Sequence, residues 1–559
     1  MKEKRLSAPV IVCMMIFSLF VGWTAEGSGA MTIPAAQTTS GMPPVVVVSG
    51  SNYDMGYQYG HQVADLIYHN VAILKSRLIQ KYGKEDMEKD MRVWAYYLEK
   101  YDAGLKDWLT GIQAGCTDRG YHMGYIDLVA ITVYPAQMWA RPNIPYPPET
   151  GVNPSVQVSK PRLRPEGEYH ACTSFAASGK AAKEGKPIVA ITKMVPIEVM
   201  HNLILIAFPD NDPSFIANPY AGAVVQNSGM NGSHFAWVLT AIFGPPAWGV
   251  VTEVYFHYLA QYCDSPAEAR KFLESTPRAG VTGNFIMSDA EGDISVFESN
   301  AKDSAIRKPG DSGEPAQFLV NTNHHIHPSM KSYNIPWEEW KWNLDSLYRY
   351  ATCWEYISEG AGKGEIDFHF AKKVFQSDDW YDPEQKMWHH NEPDSRNVIN
   401  NFPSSVAQSV FFPADLIAYF QVGTPGGIGL PGGATGEFVK LRLADNPAGV
   451  TKYAEDSALA LYSEARNLFV KELNREAPYL TDLVAQSIEE MLDEAMSEFE
   501  RGMDRAGFAY MSGQEGSHVN EQVVLWSKAL THYARTQLYA QMVLTRMKKL
   551  GADIRSHKN

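Results

Sequence analysis

Prolines at 142, 145, 147, 148, 154, 161 and 165 crowd one stretch of this chain. No helix can persist through them, because each proline removes a backbone donor and clashes with the preceding helical turn. The segment from Tyr134 to Glu168 therefore predicts an exposed loop. It divides a helical N-terminal section from a section rich in strands and turns. Immediately after it stands His170-Ala171-Cys172-Thr173-Ser174-Phe175, where strand patterning begins with a cysteine near its head.

On the N-terminal side, Val45 to Val48 predicts a strand and Ser49-Gly50-Ser51-Asn52 a turn. Val63, Leu66, Ile67, Val71 and Leu74 then recur at helical spacing. A second helical stretch from Asp86 to Ala114 carries Trp94, Tyr97, Leu98, Leu105, Trp108 and Leu109 as a core stripe. On the C-terminal side, Thr173–Ala177 and Ile188–Met194 flank the turn cluster Lys183 to Pro187 and read as a hairpin. Strands are expected at Leu203–Phe208, Ala223–Gln226 and Phe235–Phe243. A helix at Glu253–Tyr262 follows, then one capped by Ser265 with Pro266 in first position. A hairpin over Asn284–Ser299 turns at Asp289 to Asp293, and later strands fall at Gln317–Val320, Ala407–Phe412, Leu416–Val422 and Glu437–Leu443. Charged helical sequence runs from Val450 to the end. The class is α+β.

Lys2, Lys4 and Arg5 precede an apolar run from Ala8 to Trp23, followed by Ala25, Gly27, Ser28, Gly29 and Ala30. That is the layout of a secretory signal peptide, with a mature start expected near Met31 and a secreted or periplasmic location. No other stretch approaches membrane-spanning length, so no stable membrane insertion is expected once the signal is gone. The formal charge of −14 over 559 residues is spread without a basic stripe, which argues against nucleic acid as a partner. The units expected are 1–30 (signal), 31–171 (helical segment and proline-rich loop), 172–449 (core) and 450–559 (C-terminal helices). Outside the signal, Cys116, Cys172, Cys263 and Cys353 are widely spaced and lack any CxxC, so no disulfide framework is demanded.

A thiol at the head of a strand becomes useful if the chain is cut just before it. Scission between Ala171 and Cys172 would place an α-amine of pKa about 7.7–8.0 beside a thiol of about 8.5. The nucleophile would then carry its own base. Here the sequence resembles the self-processing cysteine acyltransferases and amidohydrolases of the N-terminal-nucleophile hydrolase family, which includes penicillin acyltransferase, with bile salt hydrolases as more distant relatives. The resemblance runs in order from Val45 to Leu443. Its stations are Tyr53 to Gly60, Ala171 to Phe175, Gly229-Met230-Asn231, Ser288 to Asp293 with Glu298, and Thr322-Asn323-His324.

The resemblance implies a four-layer αββα core, autocatalytic cleavage into two chains, no cofactor, and chemistry on the acyl or amide carbonyl of a small molecule. It nominates Cys172 as nucleophile and Asn323 as a polar contact to the reacting centre, with Asn231 as a further site candidate. Three positions depart from it. Relatives carry Asn-x-Asp where this chain has Thr192-Lys193-Met194; an oxyanion asparagine falls where Val238-Leu239-Thr240-Ala241 stands; and an arginine falls at Glu437. Thr240 is then a partial substitute and Lys193 a different supporting residue. The alternative is a non-catalytic binding or envelope protein that keeps the fold.

Other patterns carry less. His324, His325 and His327 cluster, but neighbours on an extended chain point to opposite sides and no cysteine completes a zinc pattern, so no metal is expected. Gly427 to Gly432 matches the dinucleotide glycine pattern yet contains Pro431 and precedes a strand, whereas that motif requires a helix N-terminus. Asn231-Gly232-Ser233 fits a glycosylation sequon. Trp237 and Trp248 could suit an apolar acyl chain or simply pack the core.

Overall fold

A computed structural model describes residues 42–152, 171–194, 201–334, 341–390, 399, 405–422, 436–475, 477–514 and 519–557. The expected signal and mature start, residues 153–168 of the proline-rich loop, His170 and the Gly427–Gly432 turn lie outside the described residues.

Strand β1 (Val45–Gly50) leads into six helices: α1 (Asn52–Gln62), α2 (Ala64–Tyr82), α3 (Lys84–Tyr101), α4 (Ala103–Asp118), α5 (Tyr125–Thr132) and α6 (Tyr134–Ala140). After the loop come β2 (Ala171–Ala177), β3 (Ile188–Met194), β4 (Ile204–Pro209), β5 (Phe215–Ala217), β6 (Ser228–Asn231) and β7 (Ala236–Phe243). Helices α7 (Thr252–Tyr262) and α8 (Pro266–Ser275) precede β8 (Val281–Ser288), β9 (Ile294–Ser299), β10 (Ser304–Arg307) and β11 (Phe318–Asn321). Then follow α9 (Lys341–Lys363), α10 (Phe368–Phe375), the short strands β12 (Trp380–Asp382) and β13 (Met387–His389), and β14 (Ser405–Phe412), β15 (Ile417–Val422) and β16 (Glu437–Arg442). The chain ends in α11 (Pro447–Asn474), α12 (Asp482–Gln514) and α13 (Val519–His557).

The expected α+β class holds. Among the described residues, one sheet has eight strands in the order β1-β4-β5-β6-β7-β8-β9-β10, and another has six in the order β11-β2-β3-β14-β15-β16. Side-chain alternation sorts their faces. Val45, Val47, Ile204, Ile206, Val238 and Ile286 of the first sheet share one core with Val189, Ile191, Phe411 and Phe420 of the second. The opposite face of the eight-stranded sheet, with Val46, Leu205, Trp237 and Phe285, packs on helices from α1 to α8. That of the six-stranded sheet, with Phe175, Ala190 and Val410, packs on α9 and α10.

Several local expectations change. The helix expected from Val63 is preceded by a separate one, Asn52–Gln62, and the second expected stretch breaks at Asp102, whose carboxylate accepts the Leu105 amide and meets His257 Nδ1 at 2.6 Å. Residues 134–140 are helical despite Pro135, because proline in a first turn lacks only a donor that has no partner there. Ala223–Gln226 forms no strand: the Gln226 side chain takes the Tyr220 amide, Asn227 has φ of +30°, and pairing begins only at Ser228. In the Tyr53–Gly60 station, Gly56 and Gly60 lie against the Trp108 and Ile112 carbonyls. A Cβ there would come within 2.2 and 2.3 Å of those oxygens, so α1 and α4 can pack this closely only over glycine.

Helix α13 covers an edge of each sheet. Ser527 and Thr531 Oγ accept the Val47 and Val45 amides at 2.8 and 3.0 Å on β1. One and a half turns on, Gln537 and Gln541 each exchange two hydrogen bonds with the backbone of Lys440 and Phe438 on β16. Its i, i+4 polar pairs thus satisfy backbone groups that an edge strand would otherwise expose. Among the described residues, no helix is long and apolar enough to cross a membrane.

Candidate functional site

Cys172 is the second residue of β2, with Ala171 already paired to Met194 ahead of it. Alternation puts its side chain with Ala176, Val189 and Ile191 in the core between the sheets, where it is 3% exposed. Lys193 lies directly across the ladder from Cys172 and therefore faces the same layer. It is buried, and its Nζ donates to the Asn218 carbonyl at 3.2 Å. Burial pushes this amine down to about 8, while Cys172 acts in the opposite direction.

The segment after β11 brings Asn323 to the same point. The Cys172 N–H donates to Asn323 Oδ1 at 2.9 Å, and Asn323 Nδ2 donates to the Ala241 carbonyl at 2.9 Å. These two bonds fix which end of the amide faces Cys172. Asn323 and Ala241 are both part-exposed, so the group reaches solvent on their side.

A row of three polar residues holds this segment from the other sheet. Thr240, Asn284 and Glu298 are register partners across β7, β8 and β9. Thr240 Oγ1 donates to the Thr322 carbonyl at 2.6 Å, Asn284 Nδ2 to the His324 carbonyl at 2.9 Å, and Glu298 accepts the Ile326 and His327 amides, each at 2.9 Å. Arg307 pairs with Glu298 at 2.9 Å and Glu314 at 3.1 Å, and also donates to Asn321. Burial pushes the Glu298 carboxyl up, but His325, Arg307 and the His327 amide outweigh it and hold the group at about 2. Because this folded value lies below the ordinary 4.5, its stabilisation is complete above that value and is lost as pH falls toward 2, about 3 kcal/mol in all. Urea titrations between pH 7 and 2 should show Glu298→Gln less stable at neutral pH and with a shallower acid loss; an unchanged acid slope would refute this.

Helix α9 supplies what the sequence reading missed. Arg349 Nη1 donates to the Cys172 carbonyl at 2.6 Å and to Thr173 Oγ1 at 3.1 Å, and Nη2 to Asn323 Oδ1 at 3.0 Å. Ser346 Oγ accepts the Asn323 amide at 2.9 Å and lies 2.9 Å from His324 Nδ1. The signal was present: Arg349 falls on the helical row of Cys353, Tyr356 and Ile357, which are core, and a charged residue in a buried stripe has a partner.

The nominated residues divide accordingly. Cys172, Lys193 and Asn323 come together. Thr240 stands beside them, but as a holder of the Asn323 segment, its single proton directed to Thr322 rather than free for an oxyanion. Asn231 is not part of the group. It sits at the far end of the β6–β7 hairpin, where its Nδ2 donates to the carbonyls of Ala260 and Cys263 closing α7, and its Oδ1 takes the Ser233 and Phe235 amides. Fully buried, it also offers no surface for a glycan. Glu437 lies on β16, four strands from β2 and so about 19 Å away, paired with Lys372 and Thr545. Trp237 and Trp248 are core residues of the helical side. The three histidines take separate partners: Ser346 and Thr322 for His324, Glu298 for His325, and Ser329 for His327.

No protein-family model and no curated protein matches the chain. Penicillin V acylase from Agrobacterium tumefaciens is similar at 14% identity, covering 49% of this chain and 86% of that one, with a TM-score of 0.30. A point mutant of conjugated bile acid hydrolase from Clostridium perfringens is similar at 10% identity over 49% and 98% of the two chains, with a TM-score of 0.29. An N-acylethanolamine-hydrolyzing acid amidase ortholog from Caenorhabditis elegans is similar at 14% identity over 44% and 93%, with a TM-score of 0.31.

Proposed function

We propose that this chain is an exported, self-processing cysteine amidohydrolase or acyltransferase built on an αββα core, which acts on a linear amide or related acyl bond of a small molecule. The observation that carries the reading is the Cys172 backbone nitrogen held by Asn323 Oδ1, with the side chain turned into the layer between the sheets. Once Ala171–Cys172 is cut, that nitrogen is an amine fixed beside its own thiol. It takes the Sγ proton, the thiolate attacks the substrate carbonyl, and the leaving amine departs with a proton from the α-ammonium. Water or an acceptor amine then releases the acyl group from the thioester, and Sγ regains its proton.

Intact mass spectrometry and N-terminal sequencing of purified protein test this. A chain beginning Cys-Thr-Ser-Phe is expected, and Cys172→Ala is expected to stay uncut and lose all turnover. An uncut wild-type chain that turns over substrate at full rate would overturn the mechanism.

A further inference from the structure

In the uncut chain the Cys172 nitrogen is an amide and cannot accept a proton, so the scission that creates the amine needs another base. We propose that Lys193 is that base: its neutral amine takes the Sγ proton of Cys172 in the intact chain. This rests on the reading of Cys172 as a self-releasing nucleophile and adds the step that precedes it.

The geometry carries the argument. Cys172 and Lys193 are direct ladder partners with side chains on the same face, and such pairs stand about 5 Å apart at Cβ. Both are buried, and among the described residues Nζ donates to the Asn218 carbonyl. Around the pair, β14 presents Ala407 opposite Lys193, and the facing sheet carries the non-titrating Thr240 and Asn284 in the row that anchors the Asn323 segment. Glu298, the next in that row, is held by Arg307. Arg349 reaches the Cys172 carbonyl from α9, which packs on the outer face of β2. Lys193 is therefore a titrating amine on the same strand face as Cys172 Sγ, and its lowered basicity keeps a fraction neutral near pH 7.

The steps balance. Sγ–H gives its proton to Nζ, and the thiolate adds to the Ala171 carbonyl carbon. The tetrahedral intermediate collapses with rupture of the Ala171–Cys172 C–N bond, and the leaving nitrogen takes the proton back from Nζ as it becomes a neutral amine. Water then hydrolyses the Ala171 thioester, which releases a carboxylate and returns the thiol.

Scission of the full-length chain is followed by intact mass as a function of pH in wild type, Lys193→Met and Lys193→Arg. In wild type the rate should rise with pH through about 8. Lys193→Met should be cut at least ~100-fold more slowly, without that inflection, while its thermal midpoint rises because a buried charge is gone. Lys193→Arg keeps the cation but cannot release a proton in this range, and should be equally slow; it decides the matter if Lys193→Met does not fold. Either variant cut at the wild-type rate with the wild-type pH profile overturns the role of Lys193 and leaves the nucleophile reading intact. A wild-type chain that is never cut removes that reading itself.

Discussion

Arg349→Met should lower stability by about 3–5 kcal/mol, because it leaves several buried acceptors without their donor at about 1–3 kcal/mol each. It should also slow acylation of Cys172 at least ~100-fold, since misplacement of a reacting group by about 1 Å has that effect. The reason is the number of things one guanidinium holds: the carbonyl of Cys172, the Thr173 hydroxyl, and the Asn323 oxygen that receives the Cys172 nitrogen. Arg349→Lys should rescue little, because a compact ammonium cannot span those acceptors as a planar fork does. Urea unfolding and labelling of Cys172 by an activated acyl ester, read by mass, give both numbers. Wild-type labelling in Arg349→Met would show that the fork is dispensable.

A chain ending at residue 514 should not remain soluble. Loss of α13 strips Trp526, Leu530, Tyr533 and Leu538 from the core they share with both sheets, roughly 6–12 kcal/mol of apolar burial. That is comparable with the whole stability of an ordinary domain. It also uncovers edge groups of β1 and β16 that are now bonded to Ser527, Thr531, Gln537 and Gln541. Unpaired edges template pairing between chains, so size-exclusion chromatography should find aggregate. A monomer with wild-type far-ultraviolet dichroism would refute the assignment.

Much of this architecture was legible in the residues. The hairpin before and after Lys183–Pro187, the Ser265–Pro266 helix start and the Asp289–Asp293 turn follow from local chemistry, and the structure has β2–β3, α8 and β8–β9 there. The positions that read differently depend on partners distant in sequence. Asp102 breaks a helix because His257 waits 155 residues away, and Asn231 serves α7 rather than the thiol because the chain folds its amide under the helix end. Within the site, Cys172 and Asn323 stand in the ordered series of stations, whereas Arg349 and Ser346 lie on α9, outside every station. Their role appears only when α9 is laid across β2.

The cross-strand row has one more consequence. Thr240, Asn284 and Glu298 can hold the Asn323 segment together only while β7, β8 and β9 are in the present alignment. A slip of one position in β8 would offer Gly283 or Phe285 in place of Asn284 and turn its face over. The carbonyl anchor would vanish and the cysteine nitrogen would lose its cradle. Maturation, if it proceeds by the proposed cut, then acts as a proofreading step: only molecules whose strands have zipped correctly become active, and the uncut fraction measures misassembly.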